Sequence, residues 1–253
     1  MKIFNIATLS LITGLSVLSL TSACASISFN TEEEFITAVD KAQHTLRERE
    51  LKASLEKAQA SYLALSAENY HDELMYGDPE ARYIITEYSD LECPACRYYY
   101  PFAKDFVADN ATQVALSFKH FPLSFHDPKA TEEAKTAVCI GKLRGSPAEF
   151  AVIETTFKRT RGNGEGSDLT PFAIAAAFDI SESEFKKCLS DPRTQARIDR
   201  NIEDGIAAKI TGTPTFIMTD TKTGSSITVE GDSGSLAEGL SKLQTMATTT
   251  PAP

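Results

Sequence analysis

The sequence has no tryptophan, only five cysteines among 253 residues, and too little glycine (13) and proline (11) for a collagen-like or low-complexity chain. Positive charge is also scarce: 25 basic residues face 35 acidic ones, a net charge of −10, which argues against nucleic-acid binding. Beyond residue 20, no apolar run approaches the length of about 20 residues that spans a bilayer. Hydrophobic residues make up 42% of the 253 residues, which is enough for one large domain or two small ones.

The first 25 residues are typical of a signal peptide. Lys2 precedes an apolar stretch over residues 3–20, and small residues close the segment at Ala25. We expect cleavage after Ala25 and a mature protein in the periplasm or cell envelope. A retained membrane anchor is one alternative. Processing as a lipoprotein at Cys24 is another, although Thr21 stands where such sites usually carry leucine.

Four cysteines remain after that cleavage, namely Cys93, Cys96, Cys139 and Cys188. An even number in an oxidising compartment predicts two disulfides. Three pairings are allowed, and the spacing favours Cys93 with Cys96 and Cys139 with Cys188.

A long helix is predicted to begin after Thr31, because Thr31 and Glu34 form a capping box. Two apolar stripes follow at heptad-like spacing with a phase break between them: Phe35, Val39, Ala42 and Leu46, then Leu51, Leu55, Ala58, Tyr62 and Leu65. The segment from Thr31 to Leu65 is therefore either a stalk that pairs protomers or a helix folded back on its own domain, and the pattern leaves both open.

The main domain is predicted to be α/β and to begin after the turn at Gly77-Asp78-Pro79. A β-branched and aromatic run over residues 83–88 predicts a strand, residues 96–109 a helix and residues 114–121 a second strand. Together they form a β-α-β unit.

Helical patterns without strand signals occupy residues 128–209 and predict a helical insertion. Its glycine-rich stretch 161–167 is predicted to be a mobile loop; a phosphate cradle is the alternative, but no Lys-Ser/Thr follows it. A hairpin and a final helix complete the chain. The predicted divisions are 1–25 signal peptide, 26–76 helical segment, 77–127 first part of the domain, 128–209 insertion, 210–246 second part and 247–253 disordered tail.

Cys93-x-x-Cys96 lies between a predicted strand and a predicted helix. This position places the first sulfur at the positive end of the helix dipole, which stabilises its thiolate. The second sulfur, one turn further along, can attack Cys93 and resolve a mixed disulfide. The spacing therefore predicts dithiol redox chemistry.

Two other interpretations of the motif are less favoured. A zinc site would need Cys139 and Cys188 as further ligands, yet these stand 49 positions apart, whereas zinc ligands usually come in close pairs. A purely structural bond between Cys93 and Cys96 would close a very short loop and stabilise little. We expect no metal and no bound cofactor.

Three motifs in order resemble the DsbA-like thiol-disulfide oxidoreductases of the bacterial envelope, which have a thioredoxin fold. They are Glu87-Tyr88-Ser89-Asp90-Leu91-Glu92-Cys93-Pro94-Ala95-Cys96, then Phe121-Pro122-Leu123 with His126, and Thr211-Gly212-Thr213-Pro214-Thr215-Phe216. The resemblance covers about residues 77–246 and implies a thioredoxin fold with an inserted helical domain, preceded here by the long N-terminal helix.

The resemblance implies a role for four residues. Cys93 is the nucleophile, Cys96 the resolving thiol and Pro214 a cis-proline facing the disulfide. Glu87 is a buried acid that assists proton transfer with Cys96. Strand alternation agrees, since it places Glu87 on one face with Ile85, among apolar neighbours that would raise its pKa.

Substrate-binding residues are predicted around the motif: Thr213, Pro94, Ala95 and Tyr98. The dipeptide Pro94-Ala95 departs from strong oxidases of the family, which carry a histidine just before the second cysteine. The thiolate therefore lacks one stabiliser, and the oxidising power is in question.

The insertion carries the other two cysteines on predicted helices. Many relatives have cysteines at similar places, and a Cys139–Cys188 bond would be structural rather than catalytic. His120 and His126 are left out of the predicted catalytic set because most lone histidines are structural or solvated.

The predicted function is an envelope enzyme that exchanges disulfides with unfolded or folding proteins, foremost a dithiol oxidase recharged by a membrane partner of the DsbB kind. One alternative is an isomerase or reductase, kept reduced by a DsbD-like partner and oligomerised through Thr31 to Leu65. The other is a non-catalytic module that binds a partner on a thioredoxin scaffold.

Overall fold

In the computed structural model, residues 31–65 and 73–249 are described. The predicted signal peptide and the tail beyond residue 249 lie outside them. The chain divides into two units, one ending at Ala42 and one beginning at Gln43. The second unit contains a five-stranded sheet and every helix from the active-site cysteines onward.

The strands are short, and all but the first follow the sequence-based expectation. They are β1 (Leu74–Tyr76), β2 (Tyr83–Ser89), β3 (Val114–His120), β4 (Thr215–Asp220) and β5 (Ser226–Val229). The helices are α1 (Glu32–Leu63), α2 (Pro94–Asp109), α3 (Lys129–Arg144), α4 (Ser146–Arg159), α5 (Pro171–Ala177), α6 (Glu182–Leu189), α7 (Pro192–Ala207) and α8 (Ser233–Thr249). A 3₁₀ turn covers Ser124–His126.

The sheet order is β1-β3-β2-β4-β5, with β2 at the centre. β2 pairs in parallel with β3 and antiparallel with β4, so Glu87 lies between Phe118 and Phe216. Side chains alternate along a strand. Tyr88 therefore faces the opposite side, where the backbone of Gly205 in α7 approaches its ring.

The predicted α/β class, the β-α-β unit and the helical insertion are confirmed: α3 to α7 all lie between β3 and β4. β1 is the element that the sequence did not predict. Three residues are too few to show a periodic pattern, and β1 forms because it pairs with β3 at the edge of the sheet.

α1 begins where the capping box predicted, with the Glu34 amide donating to the Thr31 hydroxyl at 3.1 Å. Its two stripes differ. Leu51, Leu55, Ala58 and Tyr62 of the second stripe are buried in the core, whereas Phe35 and Leu46 of the first stripe are exposed. The second stripe therefore folds back on its own domain, and only the first stripe remains available for a stalk.

Buried charges tie the insertion to the sheet. Arg197 of α7 donates to the Glu149 carboxylate of α4 at 2.9 Å, and His120 at the end of β3 lies 3.3 Å from the other carboxylate oxygen. All three are fully or almost fully buried. Gly141 of α3 makes room, because a Cβ there would overlap Glu149.

Within residues 31–65 and 73–249, no helix is both long enough and apolar enough to cross a bilayer. Over the same described ranges, no three His, Cys, Asp or Glu side chains converge as metal ligands would.

Candidate active site

Cys93 and Cys96 lie at the junction of β2 and α2. Cys93 is the N-cap residue in an extended conformation, and Pro94 opens the helix, where its missing N–H costs nothing. The Arg97 amide donates to the Cys93 carbonyl at 3.1 Å, which begins the helical ladder. This arrangement places the first sulfur at the N-terminal end of the helix and the second inside it.

The surroundings of the two thiols shift their pKa values in opposite directions. A hydrogen bond from Cys96 lowers the pKa of Cys93, against the opposing effect of burial, and the backbone N–H groups of Ala95 and Cys96 lower it further. Burial raises the pKa of Cys96 well above its usual value. Both cysteines are in the reduced state. The pair can therefore hold a thiolate on Cys93 and a thiol on Cys96.

The loop before β4 closes over the first sulfur. The Thr213–Pro214 peptide bond is cis, as the resemblance implied. The Cys93 thiol donates to the Thr213 carbonyl at 3.3 Å. A second cis bond, Asp127–Pro128, was not expected from the sequence.

Glu87 lies on β2, six residues before Cys93, and is fully buried. Burial raises its pKa to about 8, with a smaller opposing effect from the Ser89 hydroxyl. Neither carboxyl oxygen makes a hydrogen bond of good geometry in the described part of the chain. A carboxyl group in this environment is protonated at neutral pH and can donate or accept a proton near pH 8.

Two buried acids hold the segment that leads into Cys93, and sequence reasoning did not single them out. The Asp90 carboxylate accepts from the Leu123 amide at 2.8 Å and lies 2.8 Å from the His126 ring. The Asp90 amide in turn donates to the Cys96 sulfur at 3.4 Å. Their positions in the sequence, three residues and one residue before Cys93, do not distinguish them from solvated acids.

The glycine-rich loop at 161–167, predicted to be mobile, is tied down instead. Glu92 accepts from the Thr160 hydroxyl and from the Gly166 amide, and its carbonyl accepts from Asn163 at 2.7 Å. A Cβ on Gly162, at a φ of +78°, would lie 3.2 Å from the Pro94 ring. The glycines permit this close approach, so the loop forms one wall of the site rather than a phosphate cradle.

The predicted substrate-binding residues of α2 are exposed. Pro94 and Ala95 face solvent, and Tyr98, four residues after Pro94 on the same helix face, is 64% exposed. Tyr98 packs edge-on against Tyr99 and Phe102. The structure thus places the Cys93 sulfur beside the cis-proline loop at Thr213 and Pro214, with Pro94, Ala95 and Tyr98 exposed on α2. Glu87 is buried in β2.

Cys139 and Cys188 form a disulfide between α3 and α6. This bond engages the two sulfurs that a zinc site at the motif would have required. His120 and His126 are buried and contact Glu149 and Asp90, in agreement with a structural role.

The chain matches the family model described as Thioredoxin over residues 68–236. It also resembles the crystal structure of Pseudomonas aeruginosa DsbA2, with 31% identity and a TM-score of 0.59, over 67% of this chain and 93% of that one. The chain belongs to the DsbA-like thiol-disulfide oxidoreductases. The chain is therefore a protein thiol-disulfide oxidoreductase.

More distant DsbA-like structures share the fold. Wolbachia pipientis alpha-DsbA1 is 23% identical, with a TM-score of 0.54 over 74% of this chain and 96% of that one. Oxidised BdbD from Bacillus subtilis is 18% identical, with a TM-score of 0.53 over 70% and 97%.

Curated relatives include much longer proteins. A Na(+)/H(+) antiporter NhaA 1 of Salinispora arenicola is 25% identical over 164 residues, which are 65% of this chain and 24% of that protein. The chain spans about a quarter of the curated relatives that it matches. Antiport is the activity named for those longer proteins.

Proposed function

We propose that this DsbA-like protein is an oxidase that introduces disulfides into folding envelope proteins through Cys93. The observation that carries the proposal is the unequal pair of thiols. A disulfide whose reduced form contains a stabilised thiolate is a strong oxidant, because reduction gains that stabilisation. The lowered pKa of Cys93 beside the raised pKa of Cys96 supplies this asymmetry.

The reaction starts from the Cys93–Cys96 disulfide. A substrate thiolate attacks the Cys93 sulfur, forms a mixed disulfide and displaces Cys96, which takes up a proton. A second substrate thiolate then attacks the substrate sulfur, so that the substrate disulfide forms and Cys93 leaves as a thiolate. Two electrons pass to the cysteine pair, and a membrane partner of the DsbB kind removes them again.

Glu87 donates a proton to Cys96 and accepts it again in this cycle. Cys96 leaves as a buried anion, which is costly, and the protonated Glu87 carboxyl beneath the motif supplies its proton. When the disulfide is restored, the carboxylate takes the proton back.

The substrate chain binds around the cysteines. The Thr213 carbonyl, which lies beside the Cys93 sulfur, is placed to accept from the backbone of an extended substrate. Pro94, Ala95 and the exposed ring of Tyr98 provide the apolar contact surface.

An envelope location follows from two features. The Cys139–Cys188 disulfide indicates an oxidising compartment. The signal-peptide pattern at residues 1–25 is consistent with export.

The second candidate is an isomerase or reductase that self-associates through the first half of α1. The exposed side chains of Phe35 and Leu46 favour it, because both belong to the first apolar stripe of that helix. Light scattering of the purified protein tests this alternative; a monomer would remove its support.

The deciding experiment measures the redox state of Cys93 and Cys96 in the native host, by acid quench and a thiol-alkylation gel shift. A Cys139→Ser, Cys188→Ser background isolates the active pair. An oxidase is mostly oxidised at steady state; a mostly reduced pair would contradict the proposal and favour the isomerase or reductase.

Substrate trapping separates the enzyme from a binding module. Cys96→Ser leaves Cys93 unable to be resolved and should accumulate mixed disulfides with envelope proteins, while a Cys93→Ser, Cys96→Ser control should trap none. Stable capture of a partner without any mixed disulfide would favour the binding module.

A further inference from the structure

No hydrogen bond of good geometry joins Glu87 to Cys96 in the described part of the chain, although the proposed reaction moves a proton between them. The Cys96 sulfur accepts instead from the Asp90 amide at 3.4 Å. Glu87 and Cys96 are both fully buried, so bulk water does not reach either of them. The transfer therefore needs a group that contacts both the carboxyl and the sulfur.

Ser89 is placed to make that connection. It follows Glu87 by two residues on β2 and therefore faces the same side of the sheet, about 7 Å along the strand. A glutamate and a serine side chain that lean toward each other bridge this distance. The amide that donates to the Cys96 sulfur belongs to Asp90, the residue directly after Ser89. Ser89 thus lies between the carboxyl group and the sulfur.

The Ser89 hydroxyl acts on both groups. Burial, the largest effect, raises the pKa of Glu87 and of Cys96, and the Ser89 hydroxyl lowers the pKa of each by donating to its charged form. A hydroxyl has one proton to donate and can accept another hydrogen bond at the same time. Ser89 therefore donates to whichever of the two groups is charged and accepts from the one that is protonated.

This hydroxyl is not committed to another partner. Ser89 is fully buried, and its Oγ makes no hydrogen bond of good geometry in the described part of the chain. Its backbone is fixed, because the Ser89 carbonyl accepts from the Phe121 amide at 2.8 Å. The hydroxyl can therefore turn from one group to the other while the strand stays in place.

The titratable groups around Ser89 and its two partners lie on β2, β3, α2 and the segment after β2. They are Glu87, Asp90, Cys93, Cys96, Tyr100 and His120. His120, the register neighbour of Ser89, is kept neutral by burial, which lowers its pKa. Burial raises the pKa of Tyr100, so it keeps its proton. Asp90 binds the Leu123 amide and the His126 ring instead. Glu87 is thus the acid that can supply Ser89 with a proton.

We propose that Ser89 is the proton relay of the active site, the residue that carries the proton between Glu87 and Cys96. When Cys96 leaves as a thiolate, the Ser89 hydroxyl proton passes to the sulfur and the Glu87 carboxyl proton passes to the Ser89 oxygen. Restoring the disulfide reverses both transfers. Ser89 is unchanged at the end, and no electron moves in this step. The relay rests on the proton-transfer role proposed above for Glu87.

The test is a single-turnover, stopped-flow measurement of the rate at which the oxidised protein oxidises a dithiol peptide, as a function of pH. Comparing variant and unmodified protein at each pH cancels the ionisation of the peptide thiols. At pH 6, where Glu87 is protonated, Ser89→Ala should slow the reaction about a hundredfold, as loss of general acid catalysis does. At pH 9.5, where Glu87 has lost its proton, the two rates should converge.

Ser117→Ala is the matched control. Ser117 is a fully buried serine of β3, its hydroxyl donates to Glu73 at 2.7 Å, and it lies on the face of the sheet opposite Glu87. Its loss should leave the rate within about twofold at every pH. Ser89→Ala should not lower the thermal midpoint, because it removes a buried hydroxyl that makes no good hydrogen bond. A loss of rate in Ser89→Ala that is the same at pH 6 and pH 9.5 would overturn the relay.

A second measurement titrates the Glu87 carboxyl in the reduced protein by isotope-edited infrared difference spectroscopy, with Glu87→Gln as the reference. Ser89→Ala removes a donor to the carboxylate, so the pKa of Glu87 should rise above its value of about 8. Ser117→Ala should leave this pKa unchanged. An unchanged pKa in Ser89→Ala would show that the hydroxyl does not reach Glu87, and the relay would be wrong.

The double variant Glu87→Gln, Ser89→Ala separates the relay from the role of Glu87. If the relay operates, the double variant should be no slower at pH 6 than Glu87→Gln alone, because Ser89 then has no proton to pass on. If Glu87→Gln reacts as fast as the unmodified protein, the proton-transfer role of Glu87 fails and the relay fails with it. If Glu87→Gln is slow and Ser89→Ala is not, the relay alone fails.

Discussion

Cys93 and Cys96 stand three positions apart at the N-terminal end of a helix, whereas Cys139 and Cys188 form a disulfide between two helices of the insertion. The surroundings of the first pair are unequal: one sulfur is stabilised as a thiolate and the other is kept protonated. The two sulfurs of the second pair have similar surroundings, because the Thr194 hydroxyl lies 3.8 Å from Cys139 Sγ and 3.7 Å from Cys188 Sγ. Reactivity therefore arises from the asymmetry of the surroundings rather than from the cysteines themselves.

The strongest test of this contrast removes one pair at a time. Cys93→Ser should lower the rate of disulfide exchange with a model peptide at least about a thousandfold, as loss of a nucleophile does in other covalent enzymes. The matched variant Cys139→Ser, Cys188→Ser should keep the exchange rate within about threefold, since neither sulfur belongs to the site. Comparable losses of exchange rate in both variants would show that the two cysteine pairs do not differ in function.

A second test concerns the acid beneath the active pair. The pKa of Glu87 is raised to about 8 in the folded protein. Its contribution to stability is therefore fully present below the unfolded pKa of about 4.5 and is lost as the pH rises through 8. Glu87→Gln should increase the free energy of unfolding at pH 8.5, relative to the unmodified protein, by up to about 5 kcal/mol, and change it little at pH 4.

Urea unfolding of both proteins in the reduced state measures this effect. The titration of the cysteines is common to the two proteins and cancels in the difference. A difference that does not change between pH 4 and pH 8.5 would mean that Glu87 titrates normally.

The third test removes the insertion disulfide. Its loop has a sequence separation of 49 residues. Cys139→Ser, Cys188→Ser should therefore lower the free energy of unfolding by about 4 kcal/mol in the chain-entropy model. Denaturant unfolding with the active pair oxidised in both proteins provides the measurement. Loss of exchange activity without loss of stability would assign this bond a catalytic role instead.

The smallest expected effect concerns the glycine-rich loop at residues 161–167, which forms one wall of the active site. Gly162→Ala introduces a Cβ at a φ of +78°, 3.2 Å from the Pro94 ring. It should cost about 1 kcal/mol of stability and slow exchange a few-fold by displacing Pro94. Gly224→Ala is the matched control, with a φ of +73° and no atom within 4 Å of the added Cβ. Equal rates in the two variants would show that the loop does not shape the site.

Much of the fold could be predicted because its signals are local. The strand predicted over residues 83–88 forms as Tyr83–Ser89, and the helix after Cys93 ends at Asp109 as expected. The glycine-rich loop was misjudged for the opposite reason. Its anchor, Glu92, is 74 residues from Gly166, so no window of sequence contains both.

The residues of the candidate site also divide into those that the sequence predicted and those that it did not. Cys93 and Cys96 were found from their spacing, and Pro214 and Glu87 from three motifs read together; their catalytic roles stay predictions. Asp90 and Glu92 were missed, since an acid beside an active cysteine has the same sequence signature whether it is solvated or buried.

The sequence by itself determined the alternation of strands and helices, the reactive motif, the pairing favoured for the cysteines and the start of α1, because each depends on residues close together in the chain. Tertiary structure alone decided which half of α1 is buried, which acids are desolvated and what holds the glycine-rich loop in place. These depend on long-range packing, and burial converts that packing into shifted pKa values and committed hydrogen bonds.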